Sequence, residues 1–587
     1  MAFIEETTTT PLTPFSQDEK QNTHEKRESI VVSNMFANAA SATGMSNPPP
    51  LPPDLSACPA PNRTLTNIST DKEHKMGLWQ GIRLYPKAIF WAGLISLCCA
   101  MEGYDIALIG NFYAFPPFNR KYGELQPNGT YQVPARWQAG LSNGAQCGQI
   151  VGLLLTGYGV ERLGYRPFLL GVLFYQCCIT TIFFVAPSVK VLLVAECFAG
   201  VAFGVFMSVA ISYASEVCPV ALRGYLTTWG NSCWGIGQLL AIAVIKSMFK
   251  RDDQWAYRIP YGLQWMWFPP LILGIFLAPE SPWWLVRKER YNDAKKSLLR
   301  LTSPKTDPTF DANETVDMMK HTNELEKDLM EGVSYLDCFK GVNLRRTEIV
   351  CMLFVSQNFA GNTFSNYSTY FFEQAGLTGD VPYDFALGQY GLNTIGAFVV
   401  WTFMAWGVGR RTLFLCGLTG LFFTLLAVGF VGLVPDSHRN AASLATGSLM
   451  LVWAAFYQFS VGTVAFSLVA EMSTRRLQVK TVALSRVAYN IAAIIVNVLT
   501  PYMINPTAWD WGNFAGFFWA GTCFCVLVYH YFRLPEPSGR SFAEMDILFE
   551  RGTPARKFKS AQVNAFDVAL AHDVNIDKAD ASHHEHV

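Results

Sequence analysis

The sequence predicts an all-α membrane protein, with twelve transmembrane helices in two pseudo-symmetric six-helix bundles. Three observations carry that expectation. Of the 587 residues, 51% are hydrophobic and only 15% are charged, whereas soluble domains are roughly 25% charged. Weakly charged apolar runs recur from residue 86 to residue 533, each near the ~20 residues that cross a bilayer as a helix. These runs form two sets of six, separated by a polar interval.

In chain order, residues 1–85 are expected to be a disordered cytoplasmic tail. Stretches such as TTTTPLTPFSQDEK and SNPPPLPPDLS are rich in Thr, Ser, Pro and charge, with little to bury. Residues 86–279 form the first bundle, with spans at 88–112, 137–158, 167–187, 190–213, 226–247 and 259–279. Residues 280–347, which contain RKERYNDAKKSLLRL, read as an intracellular linker with short helices. Residues 348–533 form the second bundle, with spans at 349–373, 384–407, 412–434, 442–470, 482–504 and 511–532. Residues 534–587 close the chain as a second tail. An even number of spans puts both tails on one side, and the cationic linker and tight loops make that side cytoplasmic. Asn128, in the sequon Asn128-Gly-Thr130, then lies in the first external loop as a glycosylation acceptor.

The two halves echo each other. GYGVERLGYRPFLLG (157–171) follows the second span and WGVGRRTLFLCG (406–417) the eighth; SEVCPVALRGYLTT (215–228) follows the fourth and AEMSTRRLQVKTVA (470–483) the tenth. Matching basic turns in matching places are the mark of a duplicated transporter. Other classes lack support. Lys+Arg and Asp+Glu balance at 45 each, so no nucleic-acid partner is indicated. The cysteines lie mostly in or beside apolar runs and show no zinc-ligand spacing, so no metal site is expected. No nucleophile elbow or phosphate-cradling loop points to an enzyme or an organic cofactor.

Several of these stretches resemble a known family. GYGVERLGYR resembles the loop signature of the major facilitator superfamily. YRIPYGLQW (257–265), PESPWWLVRKER (279–290) and LPEPSGRSFAEMD (534–546) are similar to sugar porter signatures. MEGYDIALIGNFYAF (101–115), YASEVCPVALRGYLTTW (213–229), YSTYFFEQAG (367–376) and VGTVAFSLVAEM (461–472) resemble fungal maltose and general α-glucoside permeases. The resemblance spans residues 86–550. It implies the major facilitator fold and plasma-membrane import of an α-glucoside by alternating access. The proton would be the coupling ion, with no other cofactor, and the partners would be a small sugar and the bilayer, the chain working as a monomer. A carrier for another sugar (sucrose, trehalose, a β-linked disaccharide or a hexose) and a sensor that binds without transporting stand as the alternatives.

The charged residues at cytoplasmic helix ends are Glu161, Arg162, Arg166, Glu216 and Arg223, with Arg410 and Arg411 in the matching turn of the second half. Ion pairs there are expected to latch the halves in one state and break in the other. For Arg410 and Arg411, plain topology-setting charge is an equal reading.

Charge inside the spans is costlier. Glu102 and Asp105 lie three residues apart in the first span, Glu196 in the fourth and Arg486 in the eleventh. The spacing of the first two puts them on one helix face. A charge at the bilayer centre costs ~2.5–3.5 kcal/mol or more, so such groups face a cavity and pair. Three carboxylates and one arginine cannot all be neutralised as ions, and at least one acid is expected to take a proton. A membrane carboxylate that takes a proton is what proton symport needs. General sugar porters carry Arg in the fourth span where Glu196 stands. The departure agrees with α-glucoside symporters, in which acids of the first and fourth spans and an arginine of the eleventh are implicated in coupling.

A sugar presents many hydroxyls and apolar C–H faces, so its site needs amide and hydroxyl partners with aromatic surfaces. By the resemblance, Gln238 fits the fifth-helix glutamine and Gln357 the first of two seventh-helix glutamines, with Asn358 replacing the second. Asn393 falls where hexose porters have an asparagine, and Tyr367 follows in the same helix as Gln357. VGTVAF (461–466) lacks the tryptophans and proline of hexose porters, and the smaller bulk is expected to admit a second glucosyl ring.

Overall fold

The computed structural model describes residues 78–561, apart from 127–128, 304–309, 331–333, 363–365, 407, 475–476, 538–541 and 559. Among the described residues, twelve long helical segments make up the molecule. In the first half these are α1 (Pro86–Phe112), α2 (Ala135–Leu163), α3 (Tyr165–Val185), α4 (Val189–Val217), α5 (Val220–Met248) and α6 (255–277). In the second half they are α7 (341–362 and 366–374), α8 (Val381–Ala405), α9 (Arg410–Val431), α10 (439–472), α11 (Gln478–Ile504) and α12 (Ala515–Arg533). Their outer surface is apolar: Leu154, Phe174 and Leu273 are 75%, 71% and 63% exposed. Gln176, Glu196 and Gln238 are buried instead. Polar inside and apolar outside is the arrangement a bilayer requires.

Seven of the segments (α1, α3, α4, α9, α10, α11 and α12) are apolar enough to cross a membrane by length and composition alone. The others carry the polar residues that face the interior, such as Gln146 and Gln149 on α2, Asn231 on α5 and Asn393 on α8, or are interrupted. α6 passes through a 3-10 turn at Leu263–Trp267. α7 is broken by a π turn at Asn358–Asn362, where Gly361 takes φ +91°, a conformation open to glycine. α10 carries a second π turn at Tyr457–Gly462.

Close packing inside the first half depends on small residues. A Cβ on Gly148 or Gly152 of α2 would stand 2.2 and 2.1 Å from the carbonyl oxygens of Cys197 and Val201 on α4. Gly200 and Gly204 of α4 are equally tight against the Ala145 and Gln149 carbonyls. This seam is a reciprocal small-residue interface of the kind membrane helices use to bring backbones together. The halves meet mainly through α5 against α8 and α2 against α11.

Three short helices, Pro282–Arg287, Tyr291–Leu301 and Ala312–Met330, follow α6 on one face of the bundle, called the linker face here. Ser281 caps the first of them by accepting from the Trp284 N–H at 3.2 Å. Helix Phe542–Glu550 docks where α7 begins, through an Arg346–Asp546 ion pair of 2.6 Å. On the far face, the α1–α2 connection carries an antiparallel pair, β1 (Glu124–Leu125) and β2 (Tyr131–Gln132), with Glu124 opposite Gln132. Asn128 lies between them, outside the described residues.

Several helices run further toward the linker face than hydropathy alone indicates. α2 continues to Leu163, α4 to Val217, and α5 starts at Val220. Glu161, Arg162, Glu216 and Arg223 are carried on these helix ends. The Glu161 and Arg162 side chains are exposed there while their backbone stays helical.

Candidate functional site

A cavity of about 300 Å³ lies between the halves, lined from both. It extends from mid-bundle residues such as Glu102 and Asn366 toward Ser212 and Val482, close to the linker-face ends of α4 and α11. Its wall is rich in amides, including Gln146, Gln149, Asn231, Asn362 and Asn490, with Trp234, Tyr457 and Tyr489 supplying rings. Gln357 and Asn393 belong to this wall. The Gln357 amide donates to the carbonyls of Val461 (3.3 Å) and Gly462 (3.2 Å), tying the break in α7 to the π turn of α10. Trp453 strengthens that junction by donating to the Ala360 carbonyl at 3.2 Å and stacking on Tyr457.

The other amides expected to meet sugar stand elsewhere. Asn358 donates to the Tyr489 carbonyl at 3.2 Å and ties α7 to α11. Gln238 is fully buried on α5 and does not line the cavity; among the described residues neither of its amide atoms has a partner. Tyr367 belongs to the far-face closure, its hydroxyl 2.6 Å from that of Ser142 and its ring stacked on Tyr113.

The acids separate into two environments. Glu102 faces the cavity, and its Oε1 accepts from Gln149 Nε2 at 3.0 Å. Arg486 lines the same space. Its guanidinium lies over the rings of Phe354 (4.7 Å), Phe466 (5.1 Å) and Tyr489 (5.8 Å), and among the described residues it makes no ion pair. Asp105 is fully buried and accepts from Gln264 of α6. Glu196, also enclosed, lies close enough to Asp105 for the two charges to interact. Asp105 Oδ2 and Glu196 Oε1 have no partner among the described residues. Helical geometry explains the split. Residues three apart differ by about 60° around the axis, enough to send Glu102 into the cavity and Asp105 into the first bundle.

On the linker face, every ion pair described joins groups of one half and its adjoining polar segment. Glu161 pairs with Lys288 at 3.0 Å and Glu216 with Arg287 at 2.8 Å, and Ser281 also donates to Glu216. Arg410 pairs with Glu471 at 3.2 Å. Arg162 lies over Tyr158 and Arg166 over Phe276. Arg411 donates to the Tyr531 carbonyl at 2.9 Å. The Arg223 side chain lies outside the described residues.

Two carboxylates that sequence reasoning passed over have matching roles here. Glu280 accepts the backbone N–H groups of Tyr165 (2.9 Å) and Arg166 (3.2 Å), where α3 begins. Glu536 accepts that of Arg411 (3.1 Å), where α9 begins. Each places negative charge on a helix N-terminus, which the helix dipole and its free donors favour. Burial raises the Glu280 carboxyl above its ordinary value, and the donated N–H bonds pull it partly back. Both glutamates sit in the repeated PE of PESPWW and LPEPSG, a signal legible once the halves are aligned.

The far face is closed across the halves. Asn111 of α1 donates to the Tyr390 hydroxyl at 3.2 Å and accepts from Thr369. Tyr383 donates to the Ala114 carbonyl at 3.2 Å, Asn505 to that of Val133 at 3.1 Å, and Gln132 to the Tyr370 hydroxyl at 2.7 Å. Lys246 pairs with Asp384. A cavity shut on one face and reaching toward the other, between two six-helix halves, is the arrangement expected of a membrane transporter.

Comparison with known proteins supplies the family. Residues 91–549 match the family described as sugar (and other) transporter. The chain is 40% identical to the maltose permease MAL61 of Saccharomyces cerevisiae over 515 residues, 87% of this chain and 83% of that protein. It is 40% identical to the general alpha-glucoside permease of the same yeast over 504 residues, 85% and 81% of the two chains. The inward open conformation of the xylose transporter XylE from E. coli superposes with a TM-score of 0.63 at 20% identity, covering 78% of this chain and 99% of that one. The chain belongs to the sugar transporter family, as its motifs indicated, and is a membrane-embedded sugar carrier rather than an enzyme.

Proposed function

We propose that this carrier imports α-glucosides, maltose or a related disaccharide, together with protons across the plasma membrane. The observation that carries the reading is the shared cavity. It holds amides and aromatic rings suited to a sugar, with Glu102 and Arg486 in the same wall. The similarity to maltose and alpha-glucoside permeases supports the substrate class. The linker face and both tails are cytoplasmic in this reading, and the chain works as a monomer. Glu102, Asp105, Glu196 and Arg486 manage the proton, with Gln357 and Asn393 contacting sugar directly and Gln238, Asn358 and Tyr367 acting on the site from its surroundings. Glu161, Arg162, Arg166, Glu216, Arg223, Arg410 and Arg411 act at the cytoplasmic gate by exchanging partners as the halves rock. No cofactor besides the proton is required, and Asn128 is an external glycosylation acceptor.

The test is uptake of a radiolabelled disaccharide and hexose panel by transport-null cells, with external pH recorded and tags at both termini. Maltose-type uptake with alkalinisation, and tags protected from external protease, is the expected result. Uptake without alkalinisation would indicate facilitation, binding without uptake a sensor, and cleaved tags the opposite orientation.

A further inference from the structure

A second crevice, of about 600 Å³, opens at the linker face away from the sugar cavity. Its walls are the start of α3, the end of α6 and the linker helices Pro282–Arg287 and Tyr291–Leu301. Four cations line it, Arg166, Arg290, Lys296 and Arg300, against two carboxylates. Both carboxylates are already engaged. Glu280 is held by backbone N–H groups at the start of α3. Asp293 takes two hydrogen bonds from Arg290 and one from Lys296, which hold it below its ordinary range. Arg166 and Arg300 make no ion pair among the described residues. Arg166 rests on the Phe276 ring at 5.0 Å, and Arg300 donates to the Leu277 carbonyl at 2.6 Å.

The crevice continues into an apolar groove. Phe276 lines both, and from it the groove runs past Leu273, Ile272 and Phe268 to Trp265, with Cys177 of α3 on the other side. Leu273 and Phe276 are 63% and 57% exposed, on the lipid-facing surface. Eleven residues separate Phe276 from Trp265 and Arg166 from Cys177, roughly 16 Å of helix. That is about half of a ~30 Å hydrocarbon core, the depth of one leaflet.

We propose that crevice and groove together hold one anionic phospholipid, its headgroup phosphate on Arg166 and Arg300 and an acyl chain along the Phe276–Trp265 groove. Arginine forks suit phosphate oxygens, and basic pockets between membrane helices at the interface take anionic headgroups. A soluble phosphate would use the cations but not the groove, so the continuity of the two selects a lipid.

The test is native mass spectrometry of the purified full-length chain in detergent, titrated with dioleoylphosphatidylserine, dioleoylphosphatidylcholine or free glycerol 3-phosphate. One phosphatidylserine per chain should be retained, in preference to phosphatidylcholine. Lys296→Ala/Arg300→Ala should lower that retention about thirtyfold, given the weight of each cation near an anionic headgroup. Lys296→Ala alone, at a side chain 77% exposed, should lower it by a smaller factor without risk to folding. Leu273→Trp, which fills the groove and leaves the charge intact, should lower it too. Equal retention of the two lipids by the native chain, or undiminished retention by either the charge variants or Leu273→Trp, overturns the proposal. Displacement of the lipid by glycerol 3-phosphate at equal concentration overturns it in favour of a soluble-phosphate site.

Discussion

Replacing Gly110 with alanine should open the far face. Gly110 lies on α1 opposite α7, and a Cβ there would stand 1.9 Å from the Asn366 carbonyl oxygen, 1.1 Å inside the 3.0 Å limit that real Cβ contacts respect. The obstacle is backbone, so a rotamer change cannot relieve it; the two halves must separate by about that distance. Hydrogen bonds that cross the seam nearby include those from Asn111 to Tyr390, from the Thr369 hydroxyl to Asn111, and from Tyr383 to the Ala114 carbonyl. Each is worth ~0.5–1.5 kcal/mol net. Losing all three shifts the balance toward far-face opening by roughly 1.5–4.5 kcal/mol, at least about tenfold in population.

The assay is a distance measurement between spin labels at Lys250→Cys and Asp380→Cys. These positions lie one turn beyond Lys246 and Asp384, which pair across the seam; the exposed cysteines among the described residues, Cys147, Cys178, Cys416 and Cys525, and Cys58 outside them, are first removed. Gly110→Ala should move the distribution to longer distances. Gly171→Ala, where a Cβ meets open space, should leave it unchanged. A folded Gly110→Ala protein with the native distribution would refute the reasoning, because the contact it must relieve would then not hold the seam shut.

Three further outcomes are expected. Among Glu102→Gln, Asp105→Asn and Glu196→Gln, at least one should lose accumulation against a gradient while keeping sugar exchange, with a flattened pH profile; normal proton-coupled accumulation by all three would reduce these acids to structural parts. Gln357→Ala should weaken apparent sugar affinity by ~1–3 kcal/mol, about 5- to 150-fold, and Gln238→Ala, outside the cavity wall, by less; radiolabelled uptake kinetics give the order, and a larger effect at Gln238 would relocate the sugar. Glu280→Gln keeps one acceptor oxygen but sets an amide N–H₂ against the other of the Tyr165 and Arg166 N–H donors, which bond different carboxylate oxygens, so thermal unfolding in detergent should show a loss of ~1–3 kcal/mol; an unchanged midpoint would mean that the Glu280 cap adds nothing to stability.

The twelve-segment plan was legible because its signal is long and repeated, and because bilayer thickness leaves little freedom in helix length. Where helices end was less legible. Hydropathy stops at the first charges, yet α2 continues through Glu161 and Arg162 and α5 begins before Arg223. The break in α7 is written as QNFAGN, a glycine among amides, but an apolar window of 349–373 averages over it. Only the fold shows that Gly361 takes a left-handed conformation and that Gln357 braces the break against α10.

The sequence identifies which side chains are expensive in a membrane, but not which neighbour offsets the expense, because that depends on an angle of about 60° around one helix. Glu102 and Asp105 look alike in MEGYDIAL and have different surroundings. Glu102 meets Gln149 and shares a cavity with Arg486; Asp105 meets Gln264 and the field of Glu196 inside one bundle. If the proton is coupled to sugar as proposed, the two acids cannot serve it in the same way. A proton bound at Glu102 occupies the space the sugar enters, so the two can influence each other directly. A proton held between Asp105 and Glu196 affects the sugar only through the packing of α1, α4 and α6, and its effect has to appear as a change in how the first bundle moves.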